Sequence, residues 1–495
     1  MDSYNVGMDN NSNPSDPNSS PWYQFDATGT LLNKGDTWAQ NMSIGFQKRL
    51  TLPANGSASL ALYYTIGSTQ AAAEAAADIA RAQTADYWFN QTATQYTNWL
   101  NAGRRVSLAD SGLNTAFDRS LVINKQAQQP QFGAWPAATN PAYQYKVWVR
   151  DSAVTAMGLD ATGHLSEAEK YWNWMASVQN ADGTWHTNYS VWQANQWIPF
   201  VEPEHDAIGL FLIGVYRHYD AVKASNPSAA TAFLNGVWTQ VTRAGDFIKN
   251  NIGANGLGPA DASIWEEQTE YNTFTQVTYA EGLNAAKYLA TEKGDTTRAN
   301  NYLSSAQTIK NALTRSYQAS PNRGLWNDTN RYFNRAVNTD GSARTLVDAS
   351  SDLLWVFGLL PATDGRVLDH RIKVLSTLTH DTWGSARYSG DTFYYSSPYS
   401  PGGTYEAGAA EPVWPQMAMY AAMQEHWAGN DTWALGRLQW YASRTGRGFV
   451  TPGEAVDWTN GQPLISTAAE PVTGAWYQMA VLTYLNQFDP RLPSF

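Results

Sequence analysis

The chain contains no cysteine. That absence excludes disulfides, thiolate metal sites and cysteine nucleophiles together. It leaves the compartment open, because a large core holds without covalent staples. Charge is also scarce. Asp, Glu, Lys and Arg make up 15% of the 495 residues, and they sum to −11. An acidic balance argues against nucleic acid, whose binding rests on Lys and Arg neutralising phosphates, and against anionic membrane surfaces. No apolar run approaches the roughly 18 to 20 residues of a membrane span. No H-E-x-x-H occurs, and His186 and His205 lack metal-ligand spacing. There is no EF-hand pattern, although oxygen-rich loops leave room for a structural calcium ion. The opening stretch, Met1 to Trp22, is polar and turn-like. It carries no basic-then-apolar leader and reads as a mature or engineered start.

Aromatics, by contrast, are abundant: 22 Trp, 27 Tyr and 16 Phe. Cores rarely need so many indoles, and an indole face is a good platform for a sugar ring, so the excess points to a stacking surface. Apolar residues make up 43% of the chain, enough for a sizeable core and too many for disorder. N-x-S/T sequons at Asn10, Asn18, Asn41, Asn55, Asn90, Asn188, Asn327 and Asn430 fit a secreted protein.

Three regions separate by texture. Residues 1–66 read as β. "MSIGFQKRLTLP" and "SASLALYYTI" flank a Pro53-Ala54-Asn55-Gly56 turn. Two or three strands are too few to stand alone, so this segment packs on the rest of the chain or belongs to a larger β domain. Residues 67–105 are Ala-rich, open on Ser68, and predict a helical linker of one long helix or two in line. From 106 to 495, apolar spacing and caps predict twelve helices, near 110–125, 151–161, 166–179, 204–220, 229–250, 272–292, 297–318, 347–358, 366–379, 408–426, 431–444 and 473–487.

Their connections alternate. After the even-numbered helices the breaks are short: Gly163-His164, "KASNPS", "KGDT", "LPATDG" and "GND". After the odd-numbered helices they are long. Short links join antiparallel neighbours at one end, so the long loops gather at the other. Six such hairpins predict a mainly α fold, an (α/α)6 barrel with its function in the long loops.

Those loops hold the candidate chemistry. The first ends "WVRDS", with Trp148, Arg150 and Asp151. The second carries Trp185, Trp192, Trp197 and Phe200. The third contains "IWEE", with Trp265, Glu266 and Glu267. The fifth contains Arg387, Asp391 and Phe393, with Trp414 at its end. The sixth contains Glu454 and Asp457 amid Pro and Gly. Carboxylates, arginine clamps and indoles around a ring-shaped mouth are the inventory of glycoside hydrolysis. That reaction needs one protonated acid for the leaving oxygen and one carboxylate opposite. An adjacent like charge and an apolar wall such as Trp265 both raise an acid's pKa.

The motifs resemble glycoside hydrolase family 15, the glucoamylases, glucodextranases and related exo-acting α-glucosidases. "WVRDS" resembles the segment that binds the non-reducing sugar. "EPEHDAIGLF" (202–211) resembles R-P-Q-x-D-G-P-A-L, with Glu202 in place of Arg and Ile208 in place of Pro. "IWEE" is similar to L-W-E-E, "ARYSGDTFYY" (386–395) to G-R-Y-P-E-D-T-Y-Y, and "TPGE" to the segment of the general base. The resemblance implies Glu266 as general acid and Glu454 as general base, with Asp457 or Glu470 next in line. It implies Glu267 on the leaving-sugar side, and Arg150, Asp151 and Arg387 on the terminal glucose. Trp148, Trp265, Trp197 or Phe200, Phe393 and Trp414 line the pocket in this reading. The implied reaction is inverting release of β-D-glucose from the non-reducing ends of α-1,4 or α-1,6 glucans or oligosaccharides, with no cofactor required. A glucosyltransferase or trehalase would use the same motifs. A sugar-binding protein on a decayed barrel would tolerate Gln at 266 and 454. The N-terminal arrangement looks like that of bacterial and archaeal members, where a β-sandwich and a helical linker precede the barrel.

Overall fold

The structure, a computed structural model, describes residues 3–8, 11–34, 42–139, 143–380, 382–391, 411–444, 451–457 and 469–495. The chain divides into two compact units, Met1–Ala93 and Thr94–Phe495.

In the first unit, β1 (Ser3–Met8) and β2 (Met42–Gln47) pair antiparallel, with Ser3 opposite Gln47 and Met8 opposite Met42. Helix α1 (Pro21–Thr28) packs on both. It starts on a proline, whose missing N–H costs nothing there, and ends at Gly29 in the left-handed conformation (φ 68°). The strand expected at 57–66 does not form. Leu60, Leu62, Tyr64 and Ile66 keep the alternating pattern but are exposed. A two-residue period becomes a strand only when a neighbour takes up its backbone groups, and none does among the described residues. The Ala-rich segment forms two helices, α2 (Gln70–Arg81) and α3 (Ala85–Ala102). Thr69 Oγ1 caps the first by accepting from Ala72 N. The division between the units falls within α3.

The second unit is a double ring. Its helices run α4 (Ser111–Ala127), α5 (Val149–Thr162), α6 (Leu165–Ser177), α7 (Asp206–Ser225), α8 (Pro227–Asn250), α9 (Thr273–Glu292) and α10 (Thr296–Thr314). They continue as α11 (Leu353–Val356), α12 (Gly365–Leu378), α13 (Pro415–Trp427), α14 (Asp431–Ser443) and α15 (Pro471–Tyr484). The odd-numbered helices from α5 to α15 form the inner ring. Each touches the next, and α15 touches α5, so the ring closes. The remaining helices pack outside it.

Burial follows position. In α9 every residue from Thr273 to Ala286 is buried. Outer α10 buries only Ala299, Tyr302, Ala306, Ile309, Ala312 and Leu313, the three-to-four spacing of one apolar face. Inner helices approach closely where glycines allow it. A Cβ on Gly209 of α7 would lie 2.1 Å from the Thr278 carbonyl oxygen of α9, and Gly282 of α9 faces Gly209 in turn.

Two predicted helices are shorter than expected. The one at 347–358 is a 3-10 turn (Ala349–Asp352), capped by Asp348, followed by the single turn of α11. The one at 408–426 starts at Pro415, because proline donates no N–H and belongs in a first turn. Just before it, Val413 pairs antiparallel with Val456, which ties the loop of Glu454 to the start of α13.

Small strands order the long loops. β3 (Lys146–Trp148), β4 (Asn188–Ser190) and β5 (Trp197–Ile198) form one sheet. β6 (Tyr271–Asn272), β9 (Ala336–Val337) and β10 (Ala343–Arg344) form another, and β7 (Trp326–Asn327) pairs with β8 (Tyr332–Phe333). Among the described residues no helix is long and apolar enough to cross a membrane.

Candidate active site

The long-loop end of the ring opens into a cavity of about 830 Å3, its mouth included. One wall begins where β3 runs directly into α5. Trp148 ends the strand and Arg150 and Asp151 open the helix. Arg150 is buried, and its Nη1 donates to Glu204 Oε2 (2.9 Å) and Asp206 Oδ2 (3.1 Å) at the start of α7. Its Nη2 donates to Glu266 Oε1 (3.2 Å). Trp148 Nε1 donates to the same oxygen (2.9 Å). Glu266 itself sits at φ 60°, a left-handed conformation that a non-glycine residue holds only when its surroundings impose it. The two donors on Oε1 are such a constraint.

The opposite wall is built on Arg387. Its guanidinium lies 4.6 Å from the ring centre of Trp265 and 4.4 Å from that of Trp414. Behind it, Asp391 takes a two-pronged pair of hydrogen bonds from Nε and Nη2, both 2.7 Å, the geometry that fixes a guanidinium most firmly. Trp265 Nε1 donates to Asp348 Oδ2 (2.8 Å). The indole touching the Glu266 carboxyl is therefore Trp148, while Trp265 forms the neighbouring wall.

Glu454 enters from the sixth long loop and accepts a hydrogen bond from the Tyr143 hydroxyl. Enclosure in the cavity pushes its carboxyl up to about 8. Tyr143 and Arg387 oppose that shift, and Asp151 and Glu266 add to it. Glu470, buried at the start of α15, is held well above the ordinary carboxylate range by burial and by Glu454. Burial also lifts Asp151 to about 6 against the pull of Arg150. A closed, poorly hydrated ring end is the common cause, since desolvation penalises the charged form.

The model of glycosyl hydrolases family 15 matches residues 202–440. That stretch of the chain resembles this family. An uncharacterized glycosyl hydrolase of Methanocaldococcus jannaschii is 23% identical over 261 residues, 52% of this chain and 38% of that protein. A bacterial glucoamylase solved in complex with acarbose is 20% identical with a TM-score of 0.66, covering 86% of this chain and 63% of that one. The glucoamylase of Saccharomycopsis fibuligera is 14% identical with a TM-score of 0.61, covering 78% and 97%. The two solved structures share the (α/α)6 barrel. The chain thus spans less than two thirds of the curated relative and of the bacterial glucoamylase it matches.

The family-matched segment holds Glu266, Glu267 and Arg387. Arg150 and Glu454 lie outside it, yet the ring brings all but Glu267 together. Trp148, Arg150, Asp151, Trp265, Glu266, Arg387, Trp414 and Glu454 line the one cavity. Two expected residues do not. Trp197 is 46% exposed and stacks on His186 (4.3 Å between centroids). It is Phe200 that meets Trp148, edge to face at 5.4 Å. Glu267 turns instead to Arg335, Arg344 and Tyr388. Phe393 lies outside the described residues. Among the described residues no group of three or more His, Asp or Glu is arranged to hold a metal ion, so the calcium expectation has no ligand set there.

Tyr143 escaped sequence reasoning. It lies in the first long loop beside Tyr145, and nothing in "YQYK" tells which tyrosine faces inward. Glu470 was visible only as a fallback, because a glutamate before a proline reads first as a helix start.

Proposed function

We propose that the protein is an inverting, exo-acting α-glucan glucohydrolase that releases β-D-glucose from non-reducing ends. The observation carrying this reading is that Glu266 and Glu454, on loops far apart in the chain, line one cavity together with Arg150 and Arg387. Inner-ring residues Val154, Leu210, Phe274 and Leu353 also line the cavity, which supports reading it as a pocket for a chain end.

In this reading Glu266 is the general acid. Trp148 and Arg150 occupy its Oε1, so the proton sits on Oε2 and passes to the glycosidic oxygen as the C1–O bond breaks. Glu454 is the general base. It takes a proton from a water whose oxygen attacks C1 on the other face, which inverts the anomeric centre. Tyr143 holds the base in place. Arg150, Asp151 and Arg387 bind the hydroxyls of the terminal glucose, and Trp148, Trp265 and Trp414 enclose its ring.

Proton NMR of maltose, isomaltose and trehalose hydrolysis tests the reading and reports the linkage. β-Glucose is expected as first product; α-glucose first removes the inverting assignment. Glu454→Gln is expected to lose roughly 10²–10⁴-fold in rate, and full activity in that variant moves the base elsewhere.

A further inference from the structure

A second groove shares no lining residue with the catalytic cavity. It spans about 1020 Å3, its open mouth included. The tip of the β9–β10 hairpin, from Asn338 to Ser342, lines it together with the turn after α10, which carries Asn322 and Arg323. Half-buried Tyr271 of β6 and Tyr317 complete it. The sheet that carries this hairpin also carries Arg344, which reaches Glu267 beside the catalytic cavity. The groove therefore belongs to the rim of the long-loop end.

Its walls are braced from within. Asn338 N donates to Ser342 O (2.8 Å), and Asn338 Nδ2 to Ser342 Oγ (2.7 Å). Ser342 N and Oγ both donate to Asp340 Oδ1, at 2.8 and 2.6 Å. The Tyr317 hydroxyl accepts from Ala343 N (3.1 Å), which ties the hairpin to the segment after α10. The guanidinium of Arg323 lies over the Tyr317 ring at 4.7 Å. This bracing leaves polar atoms over. Among the described residues nothing engages Asn322 Oδ1, Asn338 Oδ1, Asp340 Oδ2 or the guanidinium N–H groups of Arg323. Asp340 is ionised, because the Ser342 hydroxyl and N–H hold its carboxyl below the ordinary aspartate value.

We propose that this groove is a second carbohydrate site, which holds a stretch of polymeric α-glucan apart from the catalytic cavity. The choice of glucan rests on the hydrolase reading above. The uncommitted groups are two amide oxygens, one carboxylate and one guanidinium, so donors and acceptors are mixed and the charges cancel. A phosphate would meet Arg323 but also Asp340. A stable protein interface needs an apolar core, and the groups left over here are polar. A sugar hydroxyl donates and accepts at once, so neighbouring hydroxyls can satisfy Asp340 and Arg323 together while the C–H face of a ring rests on tyrosine. A glucan held at the rim keeps its own ends at raised local concentration near the cavity.

The test reads binding and turnover separately, in Arg323→Ala and Asp340→Ala. Binding is read as retardation in native gels cast with soluble starch or with dextran, in a Glu454→Gln background that leaves the gel undigested. A polymer offers few chain ends to the cavity, so retardation reports the groove. The background protein is expected to be slowed by one of the two glucans, and each groove variant to lose most of that retardation. Turnover compares the polymer that the wild type cleaves with the disaccharide of the same linkage. Each variant is expected to raise KM on the polymer about 3–10-fold, the scale of a hydrogen bond to a charged group, with kcat unchanged. On the disaccharide KM is expected to change less than about 2-fold. No retardation of the background protein overturns the proposal, as does retardation that persists in both variants. An unchanged KM on the polymer, or an equal rise on both substrates, overturns it too. Should Asp340→Ala loosen the hairpin, the exposed Arg323 still decides the matter. A wild-type enzyme that cleaves no α-glucoside overturns the hydrolase reading alone, and the gels then still decide whether the groove binds glucan.

Discussion

Tyr143→Phe isolates one hydrogen bond in the cavity. The ring stays, with its edge-to-face contact on Trp148 (5.4 Å), and only the hydroxyl that donates to Glu454 is lost. Glu454 is already pushed up to about 8 by enclosure, with the Tyr143 bond among the influences holding it down. The sign follows. A donor favours the ionised carboxylate, so its removal raises the pKa further. A hydrogen bond to a charged group is worth about 1.5–3 kcal/mol, and one pKa unit is about 1.4 kcal/mol, so the rise is about 1–2 units. The general base proposed at Glu454 must be ionised, so kcat/KM is expected to climb with pH through the apparent pKa of the carboxylate pair. In Tyr143→Phe that climbing limb is expected about 1–2 pH units higher. Below the limb the variant is about 10–100-fold slower; above it the two enzymes converge. The assay is kcat/KM against pH on one oligosaccharide. A limb that stays in place or moves down refutes the argument. A loss of the same size at every pH also refutes it, because the hydroxyl then serves binding and not the proton.

Two further predictions concern the barrel. His218 is fully buried between Asp160 and Glu169; burial would lower its pKa, but the two carboxylates outweigh that and hold it up to about 9. Its folded value is raised above the ordinary 6.5, so its contribution of about 3 kcal/mol is complete below pH 6.5 and lost as pH rises through 9. Chemical melts of His218→Gln should show a much larger deficit at pH 6 than at pH 10, and an equal deficit counts against the ion pair. Gly209→Ala places a methyl 2.1 Å from the Thr278 carbonyl and should cost about 1–3 kcal/mol or more by overpacking the inner ring. Gly365→Ala, which meets nothing within 4 Å, is the neutral control in the same melt.

The ring was legible because connector length is a local property. Gly163, Asn226-Pro227 and Gly294-Asp295 mark short turns wherever they occur, and alternation of short with long leaves little choice of architecture. Glu454 stood out because its Pro- and Gly-rich loop carries few other charges, and "IWEE" because it resembles a family motif. What failed to read was everything set by partners. The Leu60–Ile66 alternation promises a strand, and no neighbour supplies its hydrogen bonds. Trp197 looked like a platform because a loop indole has no other obvious use, but the side of a loop it faces is decided by contacts such as His186. Arg335 and Arg344 sit on strands of two residues or beside them, far too short for a periodic signal, and their target lies some seventy residues upstream. Tyr143 is told apart from Tyr145 only by where Glu454 stands.

The charges in the cavity bear on what it can hold. Asp151, Glu266, Glu454 and Glu470 face inward against Arg150 and Arg387. Both arginines are already engaged from behind: Arg150 by Glu204 and Asp206, Arg387 by Asp391. Their positive charge is answered within the wall, and burial raises the carboxyls of Asp151, Glu454 and Glu470, which lowers the repulsion among them. This is why burial can hold Asp151 near 6 and Glu454 near 8 without disrupting the site. A phosphorylated or carboxylated sugar would bring a further negative charge among these carboxyls, at a cost that grows as water is expelled. A neutral sugar brings none. Its hydroxyls donate to one carboxyl and accept from the next, or from an arginine's remaining N–H. The carboxyls that line the cavity thus support the proposed preference for an uncharged terminal sugar.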